Sequence, residues 1–186
     1  MCSLCLCGLN TVMIDKLRYF FLPLLVILAD QASKYWAFTK LRSGLDVHVI
    51  DNCFKLSYAE NPGIAFGIFS ESSGAMKTWT LAAISLVAIG LVIFFALKAP
   101  REKRLPVVAL MLVLGGIVGN LIDRMWLGAV IDFIEIYIGK YHWPTFNIAD
   151  AAICVGALLL SIDILRDPKG IEESHSEDRP KEGAID

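Results

Sequence analysis

Long apolar runs separated by short polar stretches divide the chain into four hydrophobic segments, at about 17–38, 78–97, 105–122 and 146–165. The second and third contain no charged residue, and they reach the roughly 18–20 apolar residues that a membrane-spanning helix needs. The fourth has an uncharged stretch of only about a dozen residues between Asp150 and Asp163, but beside three stronger candidates it is interpreted as another span. The pattern therefore predicts four membrane-spanning helices.

Two stretches between these segments, 39–77 and 125–145, carry a pattern that is typical of short β-strands. Residues 47–50 and 54–58 are split by the turn-forming pair Asp51 and Asn52, and residues 129–138 form a third run of β-branched and aromatic residues. In that run Asp132 shares a strand face with Ile134, whereas Glu135 lies on the opposite face. We expect a small sheet that lies on the membrane surface.

Composition supports a membrane protein. The 186 residues are 56% hydrophobic and 19% charged, against roughly 45–50% and 25% in soluble domains. A disordered chain is excluded as well, because 10 Phe, 5 Tyr and 4 Trp are present. No basic block of the kind that binds nucleic acid occurs, so no nucleic-acid partner is expected.

The distribution of Lys and Arg predicts an orientation. The short connection between the second and third segments carries Lys98, Arg101, Lys103 and Arg104, which are typical of a cytoplasmic loop. Four spans then place both termini in the cytoplasm and the strand-like stretches outside. We divide the chain into an N-terminal extension (1–16), a membrane domain (17–165) and a disordered cytoplasmic tail (166–186), in which acidic residues outnumber basic ones by seven to four.

Polar residues that could carry chemistry are few, and they cluster near the outer ends of the spans, with Asp132 among them. The groups are DQASK from Asp30 to Lys34, NPGIAFG from Asn61, NLIDR from Asn120 to Arg124, and NIAD from Asn147 to Asp150. Topology gathers these groups at one membrane face. Ionisable residues at membrane depth are functional candidates by default.

Structural interpretations are favoured for two pairs of charged residues. Asp30 and Lys34 are four residues apart on one helix face, which permits an ion pair that closes the helix end. At the end of the third segment, Arg124 can extend to the interface while Asp123 takes a fixed partner. In the same segment, Gly115 and Gly119 have the spacing of close helix packing.

Asp132 and Asp150 have two competing interpretations. Asp132 could be a simple surface residue, and Asn147 with Asp150 could cap the fourth helix. Alternatively, the two carboxyl groups share a site in which one keeps a proton and the other activates water, since like charges at close range cannot both ionise. No comparably placed serine–histidine or cysteine–histidine pair competes with this second interpretation.

Other classes of function are less consistent with the sequence. The isolated histidines and the five cysteines show neither a zinc pattern nor a disulfide framework, so no metal or cofactor is expected. A proton relay through four aspartates would need carboxylates across the bilayer, but the inner halves of the spans carry only Asp163. A structural scaffold would not need aspartates in apolar outer segments.

The order DQASK, NPGIAFG, GNLIDR, GAVIDF and FNIAD at the outer ends of four spans resembles the bacterial lipoprotein signal peptidases (signal peptidase II). The resemblance covers about 17–165, with no departure at the motif positions; the cysteine-bearing N-terminus and the acidic tail lie outside it. It implies a four-helix transmembrane bundle, all-α apart from a small β-cradle on the outer membrane surface.

The resemblance also implies an activity and a set of roles. The family is one of membrane aspartic endopeptidases, which remove the signal peptide from diacylglyceryl-modified prolipoproteins just before the lipidated cysteine. By position, Asp132 and Asp150 would be the catalytic pair. The other matched positions would orient substrate or the pair, or support the site structurally: Asn61, Gly63, Asn120, Arg124 and Asn147 in the first group, Asp30, Lys34 and Asp123 in the second.

Further expectations concern the setting of the enzyme. We expect a monomer in the cytoplasmic (inner) membrane, with lipid and prolipoproteins as its partners. The apolar neighbours Phe133 and Phe146 are expected to raise one of the two carboxyl pKa values by desolvation.

Overall fold

The computed structural model describes residues 18–63, 75–99 and 103–166. The expectations for 1–16, for the tail after Arg166, for Arg101 and for the second half of the NPGIAFG motif lie outside the described residues.

Four α-helices occur among the described residues: α1 Phe21–Lys40, α2 Ala75–Lys98, α3 Arg104–Leu127 and α4 Ile148–Arg166. One turn of 3-10 helix, Arg18–Phe20, precedes α1. Pro23 and Pro106 each occupy the third position of a helix. The first four N–H groups of a helix have no acceptor within it, so a proline there breaks no intrahelical hydrogen bond. Helix α3 is capped by Gly128, the residue after its end, which adopts the left-handed conformation (φ 76°) and donates its N–H to the Arg124 carbonyl.

Helices α2, α3 and α4 are long and apolar enough to cross a membrane. Helix α1 forms where the first span was predicted, but it is not among the helices that meet this criterion in the described part of the chain. The polar group DQASK, which begins at Asp30, interrupts its apolar run and lowers its mean hydropathy. By length and composition, three of the four predicted spans meet the criterion for crossing a membrane.

The four strands β1 Val47–Ile50, β2 Phe54–Asn61, β3 Val130–Ile138 and β4 Tyr141–His142 form an antiparallel sheet in the order β1-β2-β3-β4. The predicted turn between β1 and β2 is confirmed, and Asn52 takes the left-handed conformation there (φ 60°). A bulge interrupts the β2–β3 ladder: Leu56 pairs with Ile134, and the next pair is Ala59 with Asp132. Strand β4 was not predicted, because two residues carry no periodic pattern.

Helix α3 is central and contacts each of the other three helices. A Cβ added at Gly115 would lie 2.7 Å from Val26 of α1, and one at Gly116 would lie 2.4 Å from the Ala149 carbonyl oxygen of α4. Any side chain at these positions would force the helices apart. The close packing predicted from the Gly115–Gly119 spacing is confirmed on the α1 side.

The sheet packs on the end of α1 through a small apolar cluster. Ala37 and Leu41 at that end contact Ile131 and Phe133 of β3, and all four are buried. Each buried Leu, Ile or Phe side chain contributes on the order of 1.5–3 kcal/mol. This cluster fixes β3 against the helices and directs Asp132 toward the first turn of α4.

Candidate active site

Asp132 lies in β3 with only 1% of its surface exposed. Its Oδ1 accepts a hydrogen bond from Asn147 Nδ2 at 2.7 Å, and its Oδ2 accepts one from Asn61 Nδ2 at 3.0 Å. A simple surface position for Asp132 is therefore wrong. The sequence could not exclude it, because strand alternation does not say which face is covered.

Asp150 lies in the first turn of α4 and is partly buried. Its backbone N–H donates to Asn147 Oδ1 at 3.0 Å, while its Oδ2 accepts from the Asn147 backbone N–H at 3.3 Å. This reciprocal arrangement is a capping box, so the predicted capping role of both residues is confirmed. In addition, Asp150 Oδ1 accepts from Asn120 Nδ2 at 2.8 Å.

The two carboxyl groups are neighbours that Asn147 joins, since its side chain binds Asp132 and its backbone binds Asp150. Burial, and then the negative charge of Asp150, raise the pKa of Asp132 to about 6, although hydrogen bonds from Asn61 and Asn147 act in the opposite direction. A carboxylate has about four lone-pair sites, and two amides occupy two of them on Asp132. The two amides therefore leave about two lone-pair sites of Asp132 without a hydrogen bond from them.

Three asparagines present their amide N–H groups to the carboxyl pair, and each is fixed in that orientation. In each case a donor already occupies the amide oxygen. The donors, each at 3.0 Å, are the Gly63 backbone N–H for Asn61, Lys34 Nζ for Asn120, and the Asp150 backbone N–H for Asn147. The amide nitrogens must then face the carboxylates. Gly63 thus acts through its backbone, in a buried position.

A buried ion cluster lies behind the pair. Lys34 Nζ is 2.8 Å from Asp30 Oδ2, 2.9 Å from Asp123 Oδ2 and 3.0 Å from Asn120 Oδ1, and its side chain is 2% exposed. The Asp30–Lys34 pair predicted from the spacing is confirmed. The fixed partner predicted for Asp123 is confirmed as well, and it is the same lysine.

The two aspartates of this cluster also hold the main chain beside the carboxyl pair. Asp30 accepts the Ala149 N–H at 2.9 Å, and Asp123 accepts the Ile131 N–H at 3.1 Å. Ala149 immediately precedes Asp150, and Ile131 immediately precedes Asp132. Lys34 therefore neutralises two carboxylates, each of which anchors the residue before one member of the pair.

Gln31 belongs to this cluster, although the sequence did not single it out. Its Nε2 donates to Asp123 Oδ1 at 2.9 Å and lies 3.2 Å from the Gly119 carbonyl oxygen. A Cβ added at Gly119 would lie 2.7 Å from Asp30 Oδ2, so this glycine makes room for the carboxylate. The only sequence signal for Gln31 was its place inside the DQASK group.

Arg124 is the remaining predicted site residue. It is half-buried, and its Nη1 donates to the Asn120 carbonyl oxygen at 3.3 Å, one turn back along α3. Its Nε is buried without a hydrogen-bond partner among the described residues. Asp123, Asp132 and Asp150 are near enough to interact electrostatically with it. The guanidinium is thus held beside α3 and does not extend fully to the interface.

The chain is similar to proteins of known class. A sequence model described as "Signal peptidase (SPase) II" matches residues 22–166. The lipoprotein signal peptidase of Syntrophus aciditrophicus is 40% identical over 145 residues, which cover 78% of this chain and 90% of the relative. That of Alteromonas mediterranea is 37% identical over 164 residues, covering 88% and 89%. A solved structure, described as "Bacterial membrane enzyme structure by the in meso method at 2.3 A resolution", matches with a TM-score of 0.71 and 30% identity over 89% of this chain and 94% of its own.

Proposed function

The chain belongs to the signal peptidase II family, and we propose that Asp132 and Asp150 are the catalytic pair with which it cleaves the signal peptide from prolipoproteins. The observation that carries this proposal is the meeting of the two carboxyl groups across Asn147, in a site where both accept fixed amide donors. Such a pair can hold one proton between two carboxyls, as acid–base catalysis by an aspartic peptidase requires.

The surroundings favour different roles for the two aspartates. Asp150 lies in the first turn of α4, at the positive end of the helix dipole, and it is only partly buried. Asp132 is nearly inaccessible and its direct hydrogen-bond donors are neutral amides. We therefore assign the shared proton to Asp132, which becomes the general acid, and we assign Asp150 as the general base.

The reaction follows from these assignments. Asp150 accepts a proton from a water molecule whose oxygen attacks the scissile carbonyl carbon, while Asp132 donates its proton to the carbonyl oxygen. The tetrahedral intermediate then collapses: Asp150 donates its proton to the leaving nitrogen, the C–N bond breaks, and Asp132 regains a proton from the intermediate. Asn61, Asn120 and Asn147 hold the two carboxyls at fixed distances throughout.

We propose that α1 is the fourth span of the 17–165 domain, because its polar side chains are buried in the bundle. Asp30 and Lys34 are turned toward α3 and α4, so the rest of α1 can face lipid.

All four tryptophans, at positions 36, 79, 126 and 143, are exposed at the site end of the helices, as in an interfacial aromatic belt. Lys98, Lys103 and Arg104 lie at the other end. This asymmetry favours an outer site and cytoplasmic termini, with the sheet as a cradle on the outer surface.

A labelling experiment tests the proposed orientation. Cys53 is exposed in the turn between β1 and β2, so a chain with Cys53 as its only cysteine should react with a membrane-impermeant maleimide in intact cells. A matched chain that carries Lys98→Cys instead should react only after the cells are lysed. The reverse pattern would overturn the orientation.

We further propose that the substrate is lipid-modified and that lipid supplies much of its binding energy. With the pair at the outer end of the bundle, the diacylglyceryl chains of a substrate remain in the outer leaflet while its signal helix lies among the spans. This setting favours a monomer in the bacterial cytoplasmic membrane, since one chain supplies every group in the site.

Two versions of one precursor test the substrate class. In reconstituted membranes, a diacylglyceryl-modified prolipoprotein is expected to be cleaved just before its lipidated cysteine, and the unmodified precursor at least about a hundredfold more slowly, because each buried CH₂ contributes ~0.8 kcal/mol. Mass spectrometry of the products locates the cut. Equal cleavage of both precursors would remove the lipid requirement while leaving the catalytic pair intact.

A further inference from the structure

A second cluster of polar groups lies on β3, three residues beyond Asp132, and takes no part in the reaction above. Glu135 is 9% exposed. Its Oε2 accepts from Ser57 Oγ at 2.8 Å and lies 3.2 Å from Lys55 Nζ, and its Oε1 lies 2.6 Å from His142 Nδ1. Ser57 and Lys55 belong to β2, and His142 belongs to β4. One carboxylate therefore connects three strands.

On the β2 side, these bonds lie next to the bulge that separates them from the site. Lys55 pairs directly with Glu135, and beyond the bulge Ala59 pairs with Asp132. Because side chains alternate between the faces of a sheet, a shift of one residue past the bulge would turn Asn61 away from Asp132. The Glu135 bonds fix the register immediately before the position where it could shift.

On the other side, His142 begins the segment that leads to Asn147. This segment returns alongside β3: the Trp143 N–H donates to the Ile136 carbonyl at 2.8 Å, and the Phe146 N–H donates to the Ile134 carbonyl at 3.0 Å. Asn147 follows at once and binds Asp132. The contact between Glu135 and His142 fixes the start of this segment against β3.

We propose that Glu135 is a positioning residue for the catalytic pair, holding β2 and the 141–147 segment in the register in which Asn61 and Asn147 both reach Asp132. The proposal rests on Asp132 being catalytic. It concerns a residue on the opposite strand face from Asp132, outside the groups that the family motifs single out.

The charges around Glu135 keep the cluster assembled as the pH falls. Burial opposes ionisation of Glu135, but hydrogen bonds from His142, Ser57 and Lys55 outweigh burial and lower its pKa. The outer groups of the cluster are Asp46, which pairs with Lys55 at 2.8 Å, Tyr137, which stacks on His142, and His48, whose Nδ1 lies 3.3 Å from the Tyr137 hydroxyl oxygen. A carboxylate at position 135 accepts from His142 whether that ring is neutral or charged.

The test compares Glu135→Ala with Glu135→Gln in the full-length chain reconstituted in membranes, with a lipid-modified precursor as substrate. Glu135→Ala should lower kcat about tenfold or more with little change in KM, because the pair loses its alignment. Glu135→Gln keeps an oxygen that can accept from β2 and an N–H group that can donate to the His142 ring, so its kcat should stay within about threefold of the wild-type value.

Asp46→Asn is the matched control, since it removes a partner of Lys55 without touching β3; its kcat should equal that of the wild type. Unchanged kcat in Glu135→Ala would overturn the positioning role, even if thermal stability fell. So would a loss of kcat in Glu135→Gln as large as that in Glu135→Ala, because a side chain of nearly the same shape and hydrogen-bonding capacity would then fail to hold the strands. If Glu135→Ala does not fold, His142→Ala, which removes only the contact to the segment that leads to Asn147, takes its place: its kcat should fall with little change in KM, and an unchanged kcat would overturn the positioning role. Cleavage by Asp132→Asn would instead refute the catalytic pair itself.

Discussion

Asparagine in place of either Asp132 or Asp150 is expected to abolish cleavage of a lipid-modified precursor in reconstituted membranes while leaving the chain folded. The carboxamide nearly reproduces the shape of the carboxyl group, but it can neither hold nor transfer the shared proton. Loss of a positioned acid or base lowers a rate by about 10²–10⁴-fold. Initial cleavage rates measure the effect, and thermal unfolding of the same samples reports the fold.

The matched control is Asp163→Asn. Asp163 lies near the far end of α4, the helix that carries Asp150 in its first turn, and it makes none of the contacts of the site. This variant should cleave at the wild-type rate. Substantial cleavage by Asp132→Asn or Asp150→Asn would remove that residue from the catalytic pair.

The pH dependence of cleavage tests which aspartate carries the proton. In the proposed assignment Asp132 is the general acid; because its pKa is raised to about 6, its protonated form is present below that pH and is lost as the pH rises through it. For the free enzyme, kcat/KM should therefore fall on the alkaline side of about pH 6, with the measured value belonging to the coupled pair. Asn61→Ala removes a hydrogen bond that favours the ionised form of Asp132, so it should move this alkaline limb to higher pH. Movement of the acid limb alone would reverse the two roles.

Periodicity was sufficient to predict most of the fold. The uncharged runs form α2 and α3, and the β-branched and aromatic runs form β1, β2 and β3. A long apolar run is typical of a spanning helix, and alternation of apolar and polar residues is typical of a strand with one buried face. For α1 the apolar pattern gave a weaker prediction, because a polar group interrupts it. Its polar group is compensated by partners on α3 and α4, which composition alone cannot reveal.

The candidate site could be listed from the sequence but not assembled. The motifs included both aspartates and the three asparagines. The contacts that hold these residues in place, however, join segments that are distant in the sequence. Asp123 holds the Ile131 N–H, and Gln31 reaches Asp123 from another helix. The sequence placed Glu135 on the face opposite Asp132 but gave it no role, because its partners lie on other strands, whose pairing depends on a bulge that no local pattern predicts.

Lys34→Met is expected to cause a large loss of stability. Lys34 is the shared cation of Asp30 and Asp123, so its removal leaves two buried carboxylates facing each other without a counter-charge. Removing one partner of a buried ion pair costs about 3–5 kcal/mol of the free energy of unfolding. Thermal unfolding of the purified chain measures the loss, and Lys40→Met, at an exposed position on the same helix, should leave the unfolding temperature unchanged.

Two further variants separate the charge of the cluster from its hydrogen bonds. Asp30→Asn keeps an oxygen that can accept the Ala149 N–H, so it should lower the unfolding temperature less than Lys34→Met does, and the folded protein should retain turnover. Combining Lys34→Met with Asp30→Asn and Asp123→Asn removes every charge of the cluster, and it should recover part of the stability because no carboxylate is left uncompensated. If the triple variant is no more stable than Lys34→Met alone, packing of the lysine stem, not charge balance, holds this end of α1. If Asp30→Asn blocks turnover in a fully stable protein, Asp30 belongs with the catalytic group, and the ion cluster acts on the reaction itself.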